Sequence, residues 1–338
     1  MNGMIPTIKD VAKRAGVSIS TVSNAMNGLP NVGEETRERV MAAARELDYV
    51  PNINAKLMKT RKTNNIGLFL PNIHTAFYTR LLQVMYAACS TAGYAMLVHI
   101  SDSYTSQRLT AAILSTNIDG AVILNEHLMD ADIGVLRKKN IPYVFLDKPL
   151  AGDKLSSVLV NNEMGILQGV EYLMHTGHKH IAFMRGTNNF DSQERYQAFL
   201  KAMAHFKLPV LEELLLQGYF EENAAYSAVR GALPRMEVKP DALFCANDEM
   251  AVGSLRALKD LKVAVPDQLS VMGFDDGDAV SRFNPPLTTI QNPMEEIARR
   301  SVEELLRLMD PEAEGQIIRT DTRLAIRSSC AVRFKGTL

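Results

Sequence analysis

The chain has 338 residues, 46% of them hydrophobic, with a formal net charge of −1; that is longer than one average domain and excludes a chain disordered by composition. No apolar run is long enough to span a bilayer, and the opening MNGMIPTIKD lacks the basic-then-apolar order of a secretory signal. Three widely separated cysteines, Cys89, Cys245 and Cys330, show no metal spacing and suit a reducing compartment, so the expectation is a cytoplasmic protein with no membrane contact, no metal and no cofactor.

The near-neutral total hides an asymmetry. Residues 1–62 hold ten basic and six acidic side chains, a net +4, which leaves −5 for the rest. A basic head on an acidic body fits an anionic polymer as partner of the head alone.

Three short helical segments fill the head. Thr7 and Asp10 read as a capping box ahead of Ile8, Val11, Ala12 and Ala15, which share one helical face. Gly16 stops that helix. Ser18 caps a second, running through Thr21 to Met26, and Asn27-Gly28 closes it. A third spans Glu34 to Leu47 with Val40, Ala44 and Leu47 inward, and Gly33 stands at its cap position. Pro51 breaks the chain; residues 52–60 could be helical but carry little apolar face, and 59–65 read as a linker.

From Ile66 the pattern changes. Apolar, β-rich runs at 66–70, 95–99, 121–124, 143–146, 157–160, 181–184, 242–246 and 270–273 alternate with helical stretches near 76–91, 106–116, 130–139, 163–176, 192–206, 223–233 and 248–261. This alternation predicts parallel sheets covered by helices on both faces. Residues 65–100 and 179–217 both start strand, polar loop, long helix, which hints at two similar halves. A ligand between two such sheets would lie at the carboxyl ends of their strands.

The string TIKDVAKRAGVSISTVSNAMNG, Thr7 to Gly28, closely resembles the helix-turn-helix of the lac repressor family of bacterial regulators, and VGEETRERVMAAARELDYVPN continues the likeness through Asn52. Further strings agree in order: LDKP at 146–149, TGHKHIAF at 176–183, CANDEMAVG at 245–253, VMGFDD at 271–276 and PPLTTIQ at 285–291. The resemblance implies an all-α helix-turn-helix head over 1–50, a hinge helix and linker over 51–65, and an α/β periplasmic-binding-protein-like core over 66–338. That core would hold two doubly wound parallel-sheet subdomains, about 66–161 with 290–321 and 162–289 with 322–338. The implied function is a transcriptional regulator, read as a repressor, that binds a palindromic operator in double-stranded DNA as a homodimer under control of a small-molecule effector.

Physical chemistry supports the head independently, because the second helix of such a motif enters the major groove by its N-terminal end. Ile19, Ser20 and Asn24 fall at those positions and match the family's base readers. Asn suits adenine, and Ile suits a thymine methyl. Thr7, Ser18, Thr21, Ser23 and Asn27 resemble the family's phosphate contacts, and short hydroxyl and amide groups suit that work. The segment after Pro51 resembles the hinge helix that wedges an apolar side chain into the minor groove. Its usual Ala-x-x-Leu is here Ala55-Lys56-Leu57-Met58, so Met58 holds the wedge position and Leu57 is the alternative.

In the core, the family's effector pocket maps onto Asp147, Arg195, Asn247, Asp275 and Phe220, with Phe77 and Tyr78 as a second wall and Gln291 as a weaker candidate. Carboxylates, amides and an arginine fork under an aromatic cover suit a small hydroxylated ligand. Each residue also has an ordinary reading: Asn247 as a helix cap, Asp147 before a proline turn, Asp275 in a turn, Arg195 as an ion-pair partner. The chain has no Trp, so no indole stacks on a sugar ring. The first expectation is a sugar, sugar phosphate or sugar acid. A nucleobase is second, because Gln217 to Tyr226 resembles the purine repressor.

An enzyme is disfavoured: P-loop, nucleophile-elbow, HExxH and dinucleotide fingerprints are missing from the sequence, and His178 and His180 form the one close histidine pair, with no third ligand nearby. A transport-type binding protein would need a signal peptide and no head. A sensor core whose DNA binding is vestigial, or governed by a protein partner, is the remaining alternative.

Overall fold

The computed structural model describes residues 6–50, 62–101, 106–278 and 280–333. It divides into two compact units, Met1–Thr63 and Asn64–Leu338.

The smaller unit is three helices: α1 (Ile8–Ala15), α2 (Ile19–Met26) and α3 (Glu34–Glu46). Their apolar stripes meet in one cluster, with Val11, Val22 and Val40 fully buried and Ile8, Val17, Leu47 and Tyr49 half-buried around it. The ends are sealed locally. The Asp10 carboxylate accepts the Thr7 backbone N–H at 2.8 Å and the Thr7 hydroxyl at 2.7 Å. Thr7 and Asp10 thus form the expected capping box, with a hydroxyl-to-carboxylate bond added to it. Gly16 sits at φ 66°, the left-handed region that closes α1 without a Cβ penalty. Gly33 precedes α3 with extended backbone and no side chain to cap it. The hinge segment, with Ala55, Leu57 and Met58, lies outside the described residues, as does the tail from Phe334.

The larger unit holds two six-stranded sheets. In chain order, β1 (Asn65–Leu70), α4 (Ala76–Thr91), β2 (Ala95–Ile100), α5 (Ser106–Ser115), β3 (Gly120–Ile123), α6 (Asp130–Leu136), β4 (Tyr143–Phe145) and β5 (Leu155–Val160) build the first half. The second half comprises α7 (Asn162–His175), β6 (Ile181–Arg185), α8 (Phe190–His205), β7 (Leu215–Gln217), α9 (Glu222–Ala232), β8 (Ala242–Cys245), α10 (Asp248–Asp260), β9 (Ser270–Asp275) and β10 (Thr288–Gln291). The chain then returns through α11 (Met294–Leu308) and β11 (Ile317–Thr320) to the first half, and ends with β12 (Arg323–Ala325) in the second.

The sheet orders are β2-β1-β3-β4-β5-β11 and β7-β6-β8-β9-β10-β12. Neighbouring strands pair in parallel in both sheets except β10 with β12. Both sheets thus repeat one doubly wound plan, in which the strand order reverses between the first and third strands of each half. Central strands are buried at every residue, as at Gly120–Ile123 and Ala242–Cys245, because helices cover both faces.

Several elements were not among the segments read from the sequence: β7, β10, β11, β12 and α11. Helix α11 carries a regular buried stripe of Met294, Ile297, Ala298, Ser301, Val302, Leu305 and Leu308 and packs against α4 and the strands β3, β4 and β5. Its periodicity is plain, but its destination in the first half, after a stretch through the second, is a property of topology. Three strands of chain cross between the halves. Asn161 binds across them, its N–H donating to the Thr320 carbonyl at 2.9 Å and its amide to Asp321 at 3.0 Å. Among the described residues, no helix is long and apolar enough to cross a membrane.

Candidate functional site

In the smaller unit the N-terminal end of α2 is exposed. Ile19 is 45% exposed, an unusual place for a large aliphatic side chain on a helix with two buried residues, Val22 and Ala25. Ser18 and Ser20 are exposed, while Asn24 is half-buried, less open than the sequence led one to expect. The Ser18 hydroxyl accepts the Thr21 N–H at 3.1 Å and meets the Ser20 and Thr21 hydroxyls at 2.7 and 2.8 Å. Ser18 is therefore a helix cap whose oxygen anchors a row of hydroxyls, and capping leaves the row exposed. Asn27 folds back, its amide donating to the Ser23 carbonyl at 2.7 Å. Lys9, Lys13 and Arg14 stay exposed, and Arg14 pairs with Glu46 at 2.7 Å.

In the larger unit the two sheets bring their strand-order reversals to one cavity of about 110 Å³. Thr75, Phe77, Tyr78 and Leu124 line it from the ends of β1 and β3; Asn189, Asp191, Arg195 and Asn247 line it from the ends of β6 and β8, with Phe220 and Asp275 closing the ring. Such switch points are where doubly wound sheets leave room for a ligand, because the loops after neighbouring strands turn to opposite faces. A wider mouth of about 390 Å³ adjoins it through Phe77 and Asp275, and Gln291 lies there, exposed at the end of β10.

Arg195 is the central side chain, only 4% exposed. Its Nε donates to Asn162 Oδ1 at 2.8 Å and its Nη1 to the Ala246 carbonyl at 2.5 Å. The remaining Nη2 lies 3.7 Å from Asp275 Oδ1, and the guanidinium stacks 3.7 Å over the Phe274 ring. The fork is thus held rigid, with one edge toward the cavity. Asp275 stands at φ 118°, a strained backbone for a residue with a side chain. Burial pushes its carboxyl up to about 6, against the pull of Arg195.

Asn247 does what its ordinary reading required, its Oδ1 capping α10 through the Met250 N–H at 3.0 Å. Its amide donates to the Phe220 carbonyl at 3.4 Å. Tyr219 and Phe220 take consecutive left-handed conformations, φ 57° and 63°. The Phe220 ring lies so near Gly186 that a Cβ there would come within 2.2 Å of it, which gives a steric reason for glycine after β6. Asp147 departs from expectation. It does not line the cavity but sits behind it, 7% exposed. Burial lifts its carboxyl to about 7, opposed by Lys148. Its Oδ1 is buried with no hydrogen-bond partner, as is Asn125 Nδ2 nearby. Tyr78 is raised by burial and by the charges of Glu126, Asp147, Asp191 and Asp275.

The structure adds Asn189 and Asp191 to the sequence candidates. Asn189 caps α8 by accepting the Ser192 N–H at 3.0 Å, and Asp191 accepts from Asn162 at 2.7 Å. In sequence both are ordinary helix-start residues, and nothing local marks them. His178 takes the structural role weighed for it, with Nδ1 3.0 Å from the Leu173 carbonyl and Nε2 2.7 Å from Ser270 Oγ.

Residues 7–52 match the model of bacterial regulatory proteins of the lacI family, and residues 170–330 match the periplasmic binding protein-like domain. A Bacillus subtilis (strain 168) protein named as a probable HTH-type transcriptional repressor ExuR is 32% identical over 332 residues, covering 96% of this chain and 98% of that one. The HTH-type transcriptional repressor PurR of Vibrio parahaemolyticus serotype O3:K6 (strain RIMD 2210633) is 34% identical over 328 residues, with 96% and 98% covered. Among solved structures, the lac repressor dimer bound to operator and the anti-inducer ONPF superposes with a TM-score of 0.86 at 26% identity, covering 97% of this chain and all of that one. The transcriptional regulator CelR in complex with cellobiose gives 0.73 at 29% identity, with 96% and 99% covered. An exposed recognition helix on a three-helix unit, two doubly wound sheets meeting at a cavity, and relatives matched along their whole length converge: the chain belongs to the lacI family of bacterial regulatory proteins and is a sequence-specific DNA-binding transcriptional regulator.

Proposed function

We propose that this regulator is a cytoplasmic, non-enzymatic repressor that binds a palindromic operator as a homodimer and is controlled by a small hydroxylated effector, a sugar or sugar derivative, held between the halves of the core. The observation that carries the effector reading is the facing pair of strand-order reversals around a cavity built on Arg195 and Asp275. Cellobiose in CelR favours a sugar.

In this reading Ile19, Ser20 and Asn24 contact base edges, and Thr7, Ser18, Thr21, Ser23 and Asn27 contact phosphates. Met58 or Leu57, following Ala55, wedges the minor groove. Phe77, Tyr78, Phe220, Asn247, Arg195 and Asp275 hold the effector, with Asp147 behind them. Closure on the effector changes the angle between the halves, which couples to DNA because the two states differ in effector affinity. Strand β2 offers a face for the second copy: Leu97, Val98 and Ile100 are 39%, 41% and 45% exposed on a sheet edge, where an unpaired edge invites a partner. The lac repressor was solved as a dimer on its operator.

Selection of duplexes from a random library by the full chain tests the DNA side. Two inverted half-sites about 10 base pairs apart, centre to centre, are expected, and selected duplexes without a repeated half-site would defeat the dimeric reading. Thermal shift against a sugar panel tests the core: a ligand at a hundredfold its Kd adds about 2.7 kcal/mol of stability.

A further inference from the structure

The charge around the cleft narrows the effector class, an inference that rests on the reading of the cleft as the effector site. Among the described residues, eight carboxylate residues and three arginines line the cavity and its mouth. Each arginine is already engaged. Arg80 pairs with Glu295, Arg327 pairs with Asp276 at 2.6 Å, and Arg195 is held by Asn162, the Ala246 carbonyl and Asp275.

Five carboxylates remain beyond those pairs. Glu222 turns to Arg256. Asp248 is buried, accepts the Thr289 hydroxyl at 2.6 Å and the Gly277 N–H at 2.9 Å, and is pushed by burial well above the usual carboxylate range. Asp191, Glu249 and Asp278 have no ion pair of their own among the described residues. Behind them the Asp147 carboxylate keeps one buried oxygen with no partner. Its proton affinity is raised by burial and by the Asp191 charge, with Lys148 opposing. Asp191 is raised in its turn by burial and by Glu194, while Arg195 and Arg319 hold it down.

A cleft lined by one sign of charge with low-dielectric walls concentrates ligands of the opposite sign. An anion entering here would meet these carboxylates and find only the Nη2 edge of Arg195, itself 3.7 Å from the Asp275 carboxylate. A cation would relieve their repulsion, and the faces of Phe77, Tyr78 and Phe220 suit a positive charge as well as an apolar ring face. We propose that the effector is a small hydroxylated molecule bearing a protonated amine, as an amino sugar does, and that sugar acids and sugar phosphates are rejected.

The test is calorimetric titration of the full chain with charge-matched series on common skeletons: glucosamine, glucose and glucuronate, then galactosamine, galactose and galacturonate. At least one amine is expected to bind about tenfold more tightly than its neutral parent, the worth of one charge-assisted hydrogen bond, with the acid showing no binding. Asp191→Asn, checked for an unchanged melting profile, is expected to lower the affinity ratio of amine to neutral sugar toward one, whatever it does to the affinity of the neutral sugar itself. If Asp191→Asn does not fold, the preference should instead shrink when salt is raised from 50 to 500 mM. An acid binding as tightly as the amine, or no amine binding better than its neutral parent, overturns the proposal. Arg195→Ala separates the two readings: an acid whose binding is lost in that variant sinks only the charge inference, whereas ligand binding indifferent to Arg195→Ala sinks the cleft itself.

Discussion

The two units of this chain are built by opposite means. In the head, the contacts that organise the polar surface around α2 and the start of α1 are short in sequence: Thr7 to Asp10, Ser18 to Thr21, Asn27 to Ser23. In the core, the contacts that organise the cleft span the chain: Arg195 reaches back to Asn162 and forward to Ala246 and Asp275, and Asn247 reaches to Phe220. The head presents polar atoms to solvent, where a bound anionic polymer can take them up. The core buries its charges, and pays for this in displaced proton affinities and strained backbone at Asp275. A local site is robust to events elsewhere, which suits constant reading of one sequence. A non-local site changes whenever the halves move, which suits a sensor.

Four substitutions can break that contrast. The largest effect is expected for Arg195→Ala, which leaves Asp275 buried without its cation and should destabilise the core by about 3–5 kcal/mol, read as a fall in melting temperature, with loss of the effector response. Operator affinity without effector should stay at the wild-type level at a temperature where the variant is folded; an unchanged melt would mean the arginine is not the keystone its contacts describe. Next, Asn24→Ala should relax base preference at one operator position by about 1–3 kcal/mol, with the effector response intact. Equal affinity for every single-base operator variant, before and after the change, would remove Asn24 from the base readers.

A third prediction concerns pH. Burial lifts Asp147 from 3.8 to about 7. Between those values the folded chain holds a proton that the unfolded chain has released, so this group's contribution to stability is fully present below about pH 4, falls as pH rises, and levels off above about 7. At its steepest the slope is about 1.4 kcal/mol per pH unit. Asp147→Asn removes it, so the gap in unfolding free energy between variant and wild type should widen in the variant's favour from pH 5 to 7. A gap constant across that window would make Asp147 an ordinary solvated carboxylate. The smallest effect is expected for Ser18→Ala, which removes the cap of α2 and should cost about 1 kcal/mol of helix stability. Operator binding should weaken while the core melt stays put; a shifted core melt would mean the head is not locally determined.

How much of this was legible in the sequence follows the same division. The helices of the head, their caps and their buried valines could be placed from spacing alone, because capping and 3.6-residue periodicity act within a few residues. Most central strands of the core were legible too, as short apolar runs between helical stretches. Strands β7, β11 and β12 were not, being three or four residues long with partly exposed side chains. Helix α11 had a readable stripe, but a stripe does not name the sheet it will cover.

Asp147 illustrates the limit for the site. Its place just beyond a strand was evident, yet whether it lines the cavity is settled by packing among distant segments, which place Asp191 and Tyr78 in the lining and leave Asp147 out of it. Asn189 and Asp191 carried no local signal, since a helix start needs such residues anywhere. The sequence by itself therefore determined the helices of the head, most central strands of the core and the family, because those follow from near neighbours and ordered motifs. Only the tertiary structure decided which carboxylates share the cleft, which arginines are already committed, and how the two sheets face each other. Those depend on burial and distance between residues from 27 to 215 positions apart, and chain order does not encode them directly.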